Sequence, residues 1–264
     1  MISITPETVI IDARPAFEYS GAHIPKSINL NWSDFTEPVP AQKGILQEDL
    51  FAVTRRLARL GIGPDSKVVV VGNGIFGNGE EGRIAWMFAY LGIDQVQFTS
   101  LEALKPRLVN TVDAASLQSV PMWKPNVRSS LNVAKEELLF AINERGVEKP
   151  VSFEGSTPRI YRIIDVRSAK AYLGKEGLAL KAHIPNMDAI NIPWKEFFDK
   201  MGRIKPEMGE KLMSVGVEPT SRVIVLGEDG VTSAAATLAL RALGYENAGN
   251  YAGGLNDLLS SKQR

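Results

Sequence analysis

The chain contains itself twice, and this repeat limits its fold more than any other feature. VIIDARPAFEYSGAHIPKSINLNWSDF, from Val9 to Phe35, returns as RIIDVRSAKAYLGKEGLALKAHIPNMDAINIPWKEF, from Arg162 to Phe197. Asp12, Arg14 and Tyr19 align with Asp165, Arg167 and Tyr172. His23-Ile24-Pro25 aligns with His183-Ile184-Pro185, Ile28-Asn29 with Ile190-Asn191, and Trp32 with Trp194. An insertion in the second copy widens the offset from 153 residues (Asp12 to Asp165) to 162 (Ile28 to Ile190). Solenoid units recur every 20 to 50 residues or so, so a period this long predicts two copies of a domain.

Each copy continues alike. Lys67 to Val71 is an apolar run, followed by GNGIFGNGEEG and the helical RIAWMFAYLG; Arg222 to Leu226 is followed by GEDGVTS and AAATLALRALG. Short runs of Val and Ile bounded by glycine read as buried parallel strands, and Gly92 and Gly244 read as helix C-caps. Strand, tight loop and helix, repeated, predict an α/β fold with mainly parallel sheets flanked by helices and a cleft between the domains. Residues 1–108 form the first expected domain, 109–131 a linker holding Pro121 and Pro125, and 132–264 the second domain. Asn132 is read as N-cap of a helix that opens the second domain and ends near Gly146. The first copy has no matching opening helix.

Thirty acidic and thirty basic residues cancel, which gives no electrostatic reason to expect nucleic acid or an anionic membrane as partner. No apolar run reaches the roughly 18 residues of a membrane span. MISITPETVIIDAR has no basic region followed by an apolar stretch, so a cytoplasmic location is expected, or a periplasmic one if a signal was removed. The 264 residues include no cysteine, which excludes disulfides, thiolate metal sites and thiol nucleophiles. With only His23 and His183 for imidazole ligands, no metal is expected, and no other cofactor.

The IIDxR strand, the AHIP element with its following Trp, and the strand–loop–helix ending in GYENAGNYAGGLNDL together resemble the rhodanese family, whose two-domain members include thiosulfate and mercaptopyruvate sulfurtransferases. The resemblance covers nearly the whole chain. It implies two tandem rhodanese-like domains, with the chemistry in the second. There a loop of the type CGSGVTA opens a helix, and its cysteine carries the transferred sulfur. The matching stretch here is Gly227-Glu228-Asp229-Gly230-Val231-Thr232-Ser233, and glycine stands in the cysteine's place. Sulfur transfer by the persulfide route needs a soft nucleophile that is ionised near neutral pH. Thr232 and Ser233 are alcohols that would need a general base. Glu228 and Asp229 are expected in the first turn of the helix, where they would complement its dipole and repel anionic substrates.

Other motifs are weaker. Gly72-Asn73-Gly74-Ile75-Phe76-Gly77 spells GxGxxG after a strand, but the next strand ends in Thr99-Ser100 rather than in a ribose-binding acid. Glu80 and Glu81 make that helix start a poor host for pyrophosphate. Asp12 with Arg14 and Asp165 with Arg167 share strand faces and are expected to pair structurally. His23 and His183 are expected to hold turns. Trp86, Phe88 and Tyr90 are expected to pack, and Arg59, Arg203 and Arg241 to be surface charges. Arg83, Asp165 and Arg167 are the candidate cleft contacts. The leading reading is a non-catalytic binding or regulatory protein for a small molecule or a protein. The alternatives are an active sulfurtransferase, or an enzyme of another class using the acidic loop.

Overall fold

The computed structural model describes residues 4–108, 118–144, 149–177 and 184–260. In the first half the chain runs through β1 (Val9–Asp12), α1 (Ala16–Gly21), β2 (Ile28–Asn29), α2 (Leu50–Arg59), β3 (Lys67–Gly72), α3 (Glu80–Leu91) and β4 (Gln95–Ser100). The second half runs through α4 (Lys135–Asn143), β5 (Tyr161–Asp165), α5 (Ala169–Tyr172), β6 (Ile190–Asn191), α6 (Met208–Ser214), β7 (Arg222–Leu226), α7 (Val231–Ala242), β8 (Ala248–Asn250) and α8 (Gly254–Ser260). The strands form two four-stranded sheets of orders β2-β1-β3-β4 and β6-β5-β7-β8, every pair parallel. Asp12 lies beside Val71 and Asp165 beside Leu226, so the repeat extends to strand register.

The central strands β3 and β7 are buried on both faces, as their unbroken Val/Ile runs require. Helices α3 and α7, which follow them, are buried over most of their length because they also pack on each other across the two halves. The contact is close: a Cβ added at Gly82 would come within 2.3 Å of the Ala235 Cβ. Both helices end on left-handed glycines, Gly92 (φ 104°) as C-cap and Gly244 (φ 94°) just past Leu243.

One expectation about the connection changes. Asn132 does not N-cap α4. It forms a parallel bridge with Asn250 at the edge of β8, and α4 begins at Lys135 behind Ala134. Backbone pairing to the sheet takes precedence over the side-chain cap. Gly146 lies outside the described residues. Residues 118–131, weakly patterned in sequence, are strapped to the first sheet's helices. Val120 N–H donates to the Ala58 carbonyl (2.9 Å), Asn126 N–H to Leu91 (3.0 Å), and the Trp123 indole to Ile62 (3.0 Å). Among the described residues no helix is long and apolar enough to cross a membrane.

Candidate functional site

β7 delivers its chain to Gly227 at the carboxyl end of the second sheet. The loop from Gly227 to Gly230 is then held by its carbonyls. Leu255 N–H donates to Gly227 O (3.0 Å), Asn256 N–H to Glu228 O (3.1 Å), and Asn250 Nδ2 to Gly230 O (3.1 Å). Gly230 is a backbone requirement: its φ is 76°, and an added Cβ would lie 2.0 Å from the Ala252 carbonyl. Gly227 is not. It lies outside the left-handed region, and the nearest atoms to an added Cβ would be Thr232 Oγ1 at 3.0 Å, Ser233 Oγ at 3.4 Å and Ser233 Cβ at 3.6 Å. A shift of the Thr232 hydroxyl by a few tenths of an ångström would admit a Cβ. Glycine stands here without the fold demanding it.

Ser233 is fully buried and its hydroxyl has no partner. Among the described residues no imidazole or carboxylate hydrogen-bonds the hydroxyl of Thr232 or Ser233, so neither alcohol has the base it would need. His23 is engaged elsewhere: Nδ1 lies 2.9 Å from the Tyr19 carbonyl, and the ring stacks on Tyr19. It holds its turn as the sequence implied. His183 lies outside the described residues.

Glu228 and Asp229 are not in the first helical turn, because left-handed Gly230 delays the helix to Val231. Both are half-exposed. Asp229 Oδ1 accepts from the Val231 N–H (3.2 Å), so it does complement the helix start, from outside it. Arg83 reaches this part of the interface through Gly44. It is 1% exposed, donates to the Gly44 carbonyl, and lies over the Trp86 ring at 4.5 Å. Burial pushes its guanidinium down to about 9, and the Asp229 charge opposes that shift. Arg83 is therefore a buried cation at the domain interface. Gly44 completes this contact, since a Cβ there would lie 1.9 Å from the Asp229 carbonyl oxygen.

Asp165 and Arg167 are spent on each other. Arg167 donates to Asp165 through Nε (3.0 Å) and Nη2 (2.6 Å), and through Nη1 to the Ala171 carbonyl (3.2 Å). Arg14 and Asp12 repeat the pairing, with Nη2 also reaching the Ala22 carbonyl (2.7 Å). These forks tie each strand to its following helix, the structural pairing the sequence implied for Asp165 and Arg167. Of the three arginines expected at the surface, Arg59 and Arg203 are exposed. Arg241 is half-buried, donates to the Ala248 carbonyl (3.0 Å), and is pushed down by burial.

The first-sheet loop is closed by its own side chain. Glu81 is 3% exposed, and one carboxylate oxygen lies 2.2 Å from where a Gly72 Cβ would stand. Its carboxyl is pushed up to about 8, chiefly by burial, with the Gly74 N–H opposing. The sequence missed this burial. The available signal was the Gly82 that follows, which lets α3 approach α7 and seals the turn. The GxGxxG stretch thus presents a carboxyl where a pyrophosphate would need N–H groups.

Comparison with known proteins agrees with this architecture. The family model "Rhodanese-like domain" matches residues 2–100 and 153–261. The thiosulfate sulfurtransferase of Pseudomonas aeruginosa is 25% identical over 257 residues, covering 94% of this chain and 86% of the relative. The 3-mercaptopyruvate sulfurtransferase of Escherichia coli is 26% identical over 273 residues, covering 94% and 88%. The crystal structure of a 3-mercaptopyruvate sulfotransferase from Escherichia coli superposes with a TM-score of 0.72 at 24% identity, over 94% of this chain and 93% of that one. The anaerobic ergothioneine biosynthesis enzyme of Chlorobium limicola shares the fold at a TM-score of 0.75 and 13% identity, over 99% of this chain and 64% of its own.

Proposed function

Because this chain belongs to the rhodanese family and carries two of its domains, we propose that it is a member without persulfide chemistry, whose second-domain loop serves binding or regulation. One observation carries the reading: Gly227 follows the buried β7 at the entrance to α7, without a left-handed φ that demands glycine, in a chain without cysteine. The loop has lost its nucleophile while its scaffold persists. Thr232 and Ser233 supply no substitute, for want of a base. Glu228 and Asp229 make the loop unfavourable for anionic sulfur donors, and the ligand class it suits best is neutral or cationic.

The test is direct. Purified protein given thiosulfate and cyanide should form thiocyanate at the rate of buffer alone. Turnover that tracks protein concentration would overturn the reading. Gly227→Cys, alone and with Glu228→Gly, should gain the mass of one sulfur atom after exposure to thiosulfate. The parent chain should gain nothing.

A further inference from the structure

A cavity of about 340 Å³ lies between the domains, and none of residues 227–233 lines it. From the first domain come the stretch Ile45–Glu48, Leu50, and two aromatic residues of α3, Trp86 and Tyr90. From the second come the entry to α4, Asn132–Glu136, and the turn into α8 with Tyr251 and Asp257. Apolar walls with a few convergent polar groups, set at a domain junction, are the usual make-up of a small-molecule site.

The charges in this cavity do not cancel. Asp257 is 6% exposed and accepts from the Tyr251 hydroxyl (2.5 Å). Lys135 pairs with its carboxylate (3.1 Å) and donates to its backbone carbonyl (2.7 Å). The lysine is thus matched by Asp257. Two further carboxylates line the cavity, Glu48 from the first domain and Glu136 from the second, and both are exposed. Among the described residues neither makes an ion pair. Three carboxylates and one ammonium leave the lining with a net charge of −2. Tyr251 feels this field: burial raises its hydroxyl first, then the hydrogen bond and charge of Asp257, then the charge of Glu136.

Both unpaired acids stand near helix starts, Glu48 before α2 and Glu136 in the first turn of α4, which accounts for carboxylates at these positions. It does not account for two such starts, from different domains, meeting over one cavity with aromatic walls. Trp86 and Tyr90 stack at 5.3 Å, and Tyr90 is only half-buried. Aromatic faces attract cations. Arg83 lies over the Trp86 ring but does not line the cavity.

We propose that this cavity binds a small organic cation, a protonated amine carried on a flat apolar body. The body lies against Tyr90 and Leu50, and Glu48 and Glu136 hold the ammonium from opposite domains. The site is separate from the Gly227 loop and does not depend on what that loop does.

The probe is 2-phenylethylamine, titrated into the full chain near neutral pH at low salt. Amide signals of Gln47–Leu50 and Asn132–Glu136 should shift together and saturate. 3-Phenylpropanoate has a similar body and the opposite charge, and should bind at least about tenfold more weakly. Glu48→Gln and Glu136→Gln, both at exposed positions, should each weaken the amine about two- to fivefold. Ala134→Phe puts a ring into the cavity from an exposed position and should block the amine, while signals far from it stay unchanged. Equal or tighter binding of the carboxylate would mean that charge does not select the ligand, and would overturn the proposal. So would a titration that never saturates, or one that the Glu48/Glu136 double variant and Ala134→Phe leave unaltered, which would put the amine elsewhere on the surface.

Discussion

At the scale of single residues, the two glycines that bracket the second-domain loop have opposite reasons for being there. Gly230 answers to backbone geometry, with a left-handed φ and an Ala252 carbonyl where a Cβ would go. Gly227 answers to neither. Gly230→Ala should therefore cost at least about 2 kcal/mol, combining left-handed strain with a displaced carbonyl. Gly227→Ala should change stability by less than about 1 kcal/mol, since unfolded-state entropy favours alanine while two hydroxyls must shift slightly. Urea denaturation of both variants checks the pair. Equal losses would mean that Gly227 is also a structural glycine, and the empty nucleophile position would lose its significance.

At the scale of elements, the two strand–loop–helix units solve the same helix start differently. In the second domain hydroxyls of α7 face Gly227. In the first, the Glu81 carboxyl faces Gly72. That carboxyl is raised from its ordinary 4.5 to about 8, so between those values it is protonated in the fold and ionised in the unfolded chain. The unfolded state then binds fewer protons, and this group's contribution to stability falls as pH rises from 4.5 to 8, by roughly a few kcal/mol. Glu81→Gln should remove that slope. Its stability relative to the parent should climb through the window and level off above pH 8, as urea titrations at stepped pH would record; parallel curves would contradict the burial argument. The sequence made much of this architecture legible. The repeat gave the tandem plan, the Val/Ile runs marked β3 and β7, and Gly92 and Gly244 marked helix ends. What it hid depends on contacts across the two halves. Glu80 and Glu81 look alike in sequence, yet only Glu81 turns inward. Glu228 and Asp229 look like helix-start acids until the conformation of Gly230 is known. Gly44 carries no local pattern that marks it as an interface residue.

At the scale of the whole molecule, the loop at Gly227 is part of the interface that joins the two domains. Arg83 remains cationic at neutral pH although it is buried, so its field must be met within the protein. The Asp229 charge favours its charged form, and Gly44 provides the hydrogen-bonding carbonyl. This couples any redesign of the loop to the packing of the first domain. Restoring a family-like loop by combining Gly227→Cys and Glu228→Gly with Asp229→Ser would remove a carboxylate whose charge favours the buried guanidinium. Because Asp229 is half-exposed and makes no ion pair with Arg83, the cost should be about 1 kcal/mol or less. The effect should depend on Arg83. In an Arg83→Met background, Asp229→Ser should be close to neutral, since no buried cation remains to be stranded. A double-mutant cycle by thermal or urea denaturation measures this coupling. If the two substitutions add, the acidic loop is independent of the first domain. If they couple, the first domain tethers Asp229, and persulfide formation can be sought in Gly227→Cys with that aspartate left in place.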